Sequence, residues 1–377
     1  MFPHIDYLEW ITGRPEAATH DLGSSDLRRA VPEPDGIVPP ELEALPSPPD
    51  DLDLETIIAD AYDVGTENVL VTAGATHANF VAMAAAIDDA NADEETDEAD
   101  DEHRDPRVMV EKPGYEPLVA TPDGLGATVD RFRRPEEDGY ELDPGRIEAA
   151  MDEETCCVVV TNRHNPSGRG ASRETLAEAS RITADNDATL LVDEVYAPFC
   201  ANGEASVFGG PTAADLPNTV VTNSMTKFLG FGPVRVGWLV ADAEFVSRAR
   251  SVMFHVPAIS APGMALTRRA LYAESDLADG SRERIEANRE LLASFVAERD
   301  DLSGDVPSGC TYGFFAHESA DGDEVSAAAW EEDILVVPGR FFDDSDRFRL
   351  SLGLDTATVK EGLDAFEDVL DTVSAKS

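Results

Sequence analysis

Between residues 56 and about 245 one pattern recurs: a short run of β-branched and other apolar residues, a loop, then a stretch with helical periodicity. The runs VLVT (69–72), VMVE (108–111), CCVVV (156–160), TLLVD (189–193), TVVTNS (219–224) and VGWLV (236–240) are too short for helices and nearly free of polar interruption, as in strands covered on both faces. Such an alternation leaves few folds open. It predicts an α/β protein whose large domain is a three-layer α/β/α sandwich with a mainly parallel sheet. A helical region at about 263–300 then leads to a smaller α/β unit with strands in TYGFFAH, ILVVP and FRLSL and a closing helix near 356–373. The expected organisation is an N-terminal arm and part of a small domain at 1–55, a large domain at 56–260, connecting helices at 261–300 and the rest of the small domain at 301–377. The chain shows no internal repeats.

Charge narrows the class of partner. The chain has 76 acidic against 29 basic residues, a formal charge of −47. That disfavours nucleic acid. A surface so acidic suits high ionic strength, where the Debye length falls to about 3 Å near molar salt, so a halophilic cytoplasm is expected. No apolar run approaches the roughly 20 residues of a spanning helix, and the start, MFPHIDYLEW, lacks the pattern of an export signal. Cys156, Cys157, Cys200 and Cys310 have no metal-ligand spacing, and each reads as a small buried hydrophobe. The stretch at 87–106, IDDANADEETDEADDEHRDP, reads as a solvated loop.

In open parallel sheets ligands sit beyond the carboxyl ends of the strands. Lys227 lies there, in TNSMTKFLGFGPVRVGW, with Ser224 before it and Arg235 after it. The chain has only four lysines, and a lysine amine, unlike a guanidinium, can be deprotonated near neutral pH to form a Schiff base; an exposed surface lysine is the plainer alternative. In VTAGATHANF a strand gives way to a helix, placing Gly74, Ala75 and Thr76 where free N–H groups suit a phosphate or simply make a turn. Tyr115 in PGYEP could stack on a flat ring or fill a gap. Asn165 in HNPSG is presented by a fixed turn. Asp193 ends a buried strand in DEVYAPF, where a carboxylate needs a partner: a protonated heterocyclic nitrogen, an arginine or a helix N-terminus, with Tyr196 three residues on. Arg349 in FRLSLG could take a carboxylate in two parallel hydrogen bonds, as could Arg347 on the same strand face.

Taken in order, GATHA, EKPGYEP, HNPSG, DEVYAPF, SMTKxxGxxxxRVGW and FRLSLG resemble the class I/II aminotransferases, pyridoxal-phosphate (PLP) enzymes similar to aspartate aminotransferase, over about residues 65–353. The resemblance implies PLP held by Lys227, which also moves protons at the substrate. It implies Asp193 on the pyridine nitrogen, Asn165 and Tyr196 on the ring's phenolic oxygen, and Tyr115 stacked on the ring. The 74–76 turn, Ser224 and Arg235 would hold the phosphate, and Arg349, with Asn165, the substrate carboxylate. It implies an amino group passed from an amino acid to a 2-oxo acid, and a homodimer. Lyases, decarboxylases and cyclising enzymes of the same fold are the alternative reaction types, and a PLP-binding regulator a further one, against which stands the absence of a basic DNA-binding segment. The family's N-terminal segment with a tyrosine and a glycine before the first large-domain helix has no counterpart. The arm, with GSSD at 23–26, is expected to cover the substrate, and Arg163 or Arg340 are candidates for a second substrate carboxylate.

Overall fold

A computed structural model describes residues 2–28, 38–94, 105–200, 207–208 and 212–376. Seven strands, β2 (Val69–Thr72), β3 (Arg107–Lys112), β4 (Thr128–Arg133), β5 (Thr155–Thr161), β6 (Thr189–Asp193), β7 (Thr219–Ser224) and β8 (Gly237–Val240), form one sheet in the order β2-β8-β7-β6-β5-β3-β4. All pairings are parallel except those of β8, which runs against both β2 and β7. Successive side chains point to opposite faces. Val71, Val158, Val160, Val192, Val221 and Val240 accordingly fill the core on one face. Leu70, Val108, Val110, Val159, Leu191, Val220 and Leu239 fill the core on the other.

The arm begins with short helices and adds the two-residue strand β1 (His20–Asp21), which pairs in parallel with β11 (Ile334–Leu335). An antiparallel sheet β12-β13-β10-β9 completes the smaller unit, from β9 (Leu302–Ser303), β10 (Tyr312–His317), β12 (Val337–Pro338) and β13 (Arg347–Ser351). The helix Thr356–Lys376 packs on it, and Leu22 of the arm shares its core with Phe315, Phe348 and Phe366.

Four expectations need correction. The run ILVVP is not one strand but β11 and β12, divided at Val336 between two sheets. TVDRFR forms an edge strand, β4, that its sequence did not announce. The helix Ala75–Glu94 continues into the acidic stretch expected to be a loop, and residues 95–104 lie outside those described. Cys200 is half-buried, whereas Cys156, Cys157 and Cys310 are buried.

Register places the site. Thr161 at the end of β5, Asp193 at the end of β6 and Thr222 near the end of β7 lie side by side. Because β8 runs the other way, its first residue, Gly237, is level with both Thr72 and Ser224. Arg235, two residues earlier, is thereby delivered to the same edge. Only glycine fits at 237: a Cβ there would lie 2.5 Å from the Asn223 carbonyl oxygen and 2.6 Å from the Gly74 carbonyl carbon.

Candidate active site

A cavity of about 250 Å³ opens at this edge and is lined by Ala75, Thr76, Tyr115, Asn165, Asp193, Tyr196, Ser224, Lys227, Arg235 and Arg349. Gly74 supports it from beneath with φ +92°, a conformation that glycine adopts without Cβ strain, so that the chain turns from β2 into the helix starting at Ala75. Arg235 lies beside the start of that helix, its Nη2 3.6 Å from the position a Gly74 Cβ would take, and the first N–H groups of a helix have no partner within it. Arg235 is exposed, and no ion pair joins it to a carboxylate among the described residues. A helix N-terminus beside an unneutralised arginine is a cradle for an anion such as phosphate.

Asp193 is buried without an arginine. Its carboxylate accepts hydrogen bonds from Asn79 Nδ2 (2.8 Å) and the Val195 backbone N–H (3.2 Å). Asn79 is itself oriented by Thr222, whose hydroxyl donates to Asn79 Oδ1 at 2.6 Å. Burial still pushes the carboxyl above its usual range, with Asn79, Val195 and Lys227 pulling the other way. A cation above it would offset that desolvation.

Lys227 donates from Nζ to Ser25 Oγ (3.2 Å), and Ser25 Oγ lies 2.6 Å from the Tyr196 hydroxyl. Burial works against the ammonium, but Tyr196, Asp26 and Tyr7 favour it, and the balance raises Lys227 above its usual value.

Arg349 is 1 % exposed, and no described carboxylate pairs with it. Nη1 donates to Asn165 Oδ1 (2.8 Å), Nη2 donates to the Gly23 carbonyl (3.0 Å), and Nε has no partner. The Phe342 ring lies 5.0 Å from the guanidinium carbon. A buried cation lacking a counter-ion is costly unless a ligand supplies one. Arg347, the alternative on the same strand, is instead bound to Glu136, Asp344 and the Phe314 carbonyl. Arg163 donates to the carbonyls of Ser308 and Gly309, and Arg340 pairs with Asp323, so neither lines the cavity.

Turn chemistry aligns the rest. His164, held well below its usual pKa chiefly by burial, bridges Ser167 Oγ (2.7 Å) and the Pro113 carbonyl (3.0 Å). It thereby ties the turn bearing Asn165 to the one bearing Tyr115. Tyr7, Leu8, Asn79, Thr161 and Thr226 also reach the cavity without having been singled out in the sequence, and Ser25 reaches it from the GSSD segment expected to cover the substrate. Asn79 alone carried a signal, one helical turn beyond Ala75 on the same face.

The chain matches the family model described as aminotransferase class I and II over residues 43–366. It is 24% identical over 394 aligned positions to an aspartate aminotransferase of Streptomyces avermitilis, covering 98% of this chain and 86% of that one. A PLP-dependent aminotransferase structure from Streptococcus suis superposes with a TM-score of 0.81 at 20% identity, covering 99% of this chain and 98% of that one. The Thermus thermophilus aspartate aminotransferase solved with maleate gives 0.77 at 21%, covering 98% and 97%. These structural likenesses establish the fold, and the family match over most of its length establishes that the chain belongs to the class I and II aminotransferases.

Proposed function

We propose that the cavity residues above are the working parts through which this PLP-dependent aminotransferase moves an amino group from an amino acid to a 2-oxo acid. The observation that carries the reading is the convergence, in one cavity, of an amine, a buried carboxylate, an anion cradle and a buried arginine lacking a counter-ion. The set fits the cofactor. Ala75, Thr76, Ser224 and Arg235 would hold its phosphate, with Gly74 shaping the turn, and Asp193 its ring nitrogen; Asn165 and Tyr196 would hold its phenolic oxygen, with Tyr115 against the ring face. PLP, when bound, supplies an electron sink for negative charge at the substrate's alpha carbon. Arg349 with Asn165 takes the substrate carboxylate, and Lys227, besides holding the cofactor, moves the proton between the alpha carbon and the acceptor carbon.

The same reading takes residues 1–55 as arm and part of the small domain, 56–260 as the PLP-binding domain, 261–300 as connecting helices and 301–377 as the remainder of the small domain. It makes the protein a cytoplasmic homodimer of a halophile. The charge of −47 supports the last point, and Phe254, 75 % exposed, offers apolar surface to a second copy. Among the described residues no helix is long and apolar enough to cross a membrane.

The test is an absorbance scan of the protein with PLP in concentrated KCl, before and after single amino acids are added. Conversion to the pyridoxamine spectrum with release of oxo acid is expected, and Lys227→Ala should lose essentially all of it. Release of carbon dioxide, ammonia or a cyclised product without that conversion would reject transamination.

A further inference from the structure

We infer that Ser25 of the N-terminal arm is a positioning residue for the reaction, its hydroxyl holding the Lys227 amine on one side and orienting the Tyr196 hydroxyl on the other. The inference rests on the aminotransferase reading, which gives Lys227 and Tyr196 their roles and assigns none to Ser25.

Both contacts are direct. Lys227 Nζ donates to Ser25 Oγ at 3.2 Å, and Ser25 Oγ lies 2.6 Å from the Tyr196 hydroxyl. A lysine ammonium has hydrogens to give and no lone pair, so towards Lys227 the serine is the acceptor. That leaves the single hydrogen of Ser25 for the Tyr196 oxygen. Tyr196, accepting there, keeps its own hydrogen for a negatively charged oxygen in the cavity, and a hydroxyl that accepts one hydrogen bond donates the next more strongly. One oxygen of the arm thus ties the amine to the phenol.

The arm is built to keep that oxygen in place. Ser25 is buried, and so are Leu22 and Leu27 to either side of it, Leu22 in the core of the smaller unit and Leu27 in a core of the large sheet. Asp21 accepts the backbone N–H groups of Gly23 (3.0 Å) and Ser24 (2.9 Å), and the Leu22 carbonyl accepts the Ser351 N–H (2.8 Å). The Leu27 N–H donates to the carbonyl of Lys227 itself at 2.9 Å. Arm and lysine are therefore joined twice, backbone to backbone at Leu27 and side chain to side chain at Ser25. Lys227 also feels Tyr7 and Asp26 of the arm, Asp193 and Tyr196 at the end of β6, and Arg349 of β13. Ser25→Ala leaves all five in place and removes one oxygen.

The deciding experiment compares the full-length parent with Ser25→Ala, Tyr196→Phe and the double variant in concentrated KCl, by two pH titrations. In the first, PLP is bound and its absorbance is followed. A donor on the cofactor's phenolic oxygen draws off negative charge that would otherwise keep a proton on the linkage to Lys227, so weakening that donor raises the midpoint. Ser25→Ala should raise it by about 0.5 to 1 unit, Tyr196→Phe by more, and the double variant should match Tyr196→Phe, because Ser25 acts there through Tyr196. In the second, the cofactor-free protein carries isotope-labelled lysine, of which the chain has four, and the Lys227 amine is followed by NMR. Losing an acceptor of the ammonium should lower its midpoint in Ser25→Ala by about half a unit. Ser25→Cys, close in volume and a weaker hydrogen-bonding group, should fall between parent and Ser25→Ala in both, and carries the test if the alanine variant does not fold. A parental midpoint in either titration, or an undiminished Ser25→Ala shift in the Tyr196→Phe background, would overturn the inference. A parent that converts amino donors while Ser25→Ala titrates as it does rejects the role of Ser25 alone; a parent that binds no PLP rejects the aminotransferase reading and the positioning role with it.

Discussion

Glu111 and Arg134 are paired at 2.7 Å with neither side chain reaching solvent, and the cavity feels this pair through Thr161. Glu111 Oε1 accepts both the backbone N–H (2.9 Å) and the hydroxyl (2.5 Å) of Thr161. With its proton so committed, Thr161 Oγ accepts the Asn165 backbone N–H at 3.0 Å, and Asn165 in turn receives Arg349. A buried ion pair is weak evidence of stability but strong evidence of fixed geometry here, since every hydrogen in the chain has one direction. Thr161→Val keeps the shape and strands the Asn165 N–H. It should cost about 2 kcal/mol, as for a buried unsatisfied donor, and raise KM for the amino acid, while Thr161→Ser restores both. Denaturation and steady-state kinetics check the two readouts. The sequence could announce Lys227, Asp193, Asn165 and Arg349 because each is a reactive type just past or on a strand. It could not announce Thr161, a common strand residue, or Tyr7, whose arm has no periodicity and whose position depends on a contact more than 100 residues away; Ser25 lies in the GSSD segment expected over the substrate, but its contacts with Lys227 and Tyr196 are not encoded locally.

Strands whose neighbours lie on both sides declared themselves, because a residue buried on either face must be apolar: β6 and β7 match their expected limits. β4 did not, since an edge strand with a half-solvated surface tolerates the Asp and Arg of TVDRFR. ILVVP misled for another reason, that its first half pairs with the arm at His20–Asp21 and its second with β13, partners that no local pattern encodes. The small unit is closed by an element-scale clamp of the same nonlocal kind. Asp301, just before β9, receives both Nε (2.9 Å) and Nη2 (2.6 Å) of Arg299. Nη2 also reaches Asp371, Ser374 donates to Asp301 (3.1 Å), and His317 at the end of β10 stands 3.3 Å away. Arg299 foremost holds Asp301 down to about 2 from an ordinary 3.8. A depressed carboxyl stabilises the fold above its unfolded pKa and loses that contribution as pH falls through the folded one. The clamp should therefore be lost between about pH 4 and pH 2, and Asp301→Asn should cost roughly 2 kcal/mol at neutral pH. Chemical denaturation of the variant should show a flatter acid limb than the parent.

At the scale of the whole molecule, two electrostatic effects oppose each other as salt is added. The surface ion pairs, such as Arg181 with Asp185 and Lys360 with Asp364, weaken, but exposed pairs contribute about 0–1 kcal/mol each and lose only part of that. The repulsion among 76 acidic residues, balanced by 29 basic ones, weakens too, and it acts between many groups separated by more than an ion-pair distance. At 0.1 M salt the Debye length is about 10 Å, long enough for neighbouring carboxylates on one face to oppose each other; at 1 M it is about 3 Å, and they do not. The second effect dominates, so thermal stability should rise with KCl, by several kcal/mol or on the order of 10 °C in Tm. Screening also dictates the shape of the rise: steep below about 1 M and nearly flat beyond, because the residual interactions lie within contact distance. A Tm series of the PLP-loaded protein from 0.1 to about 3 M KCl reads that shape directly. A linear increase through the whole range would point instead to ion binding or solvent exclusion, and a flat line would remove high ionic strength as the condition for which this surface is built.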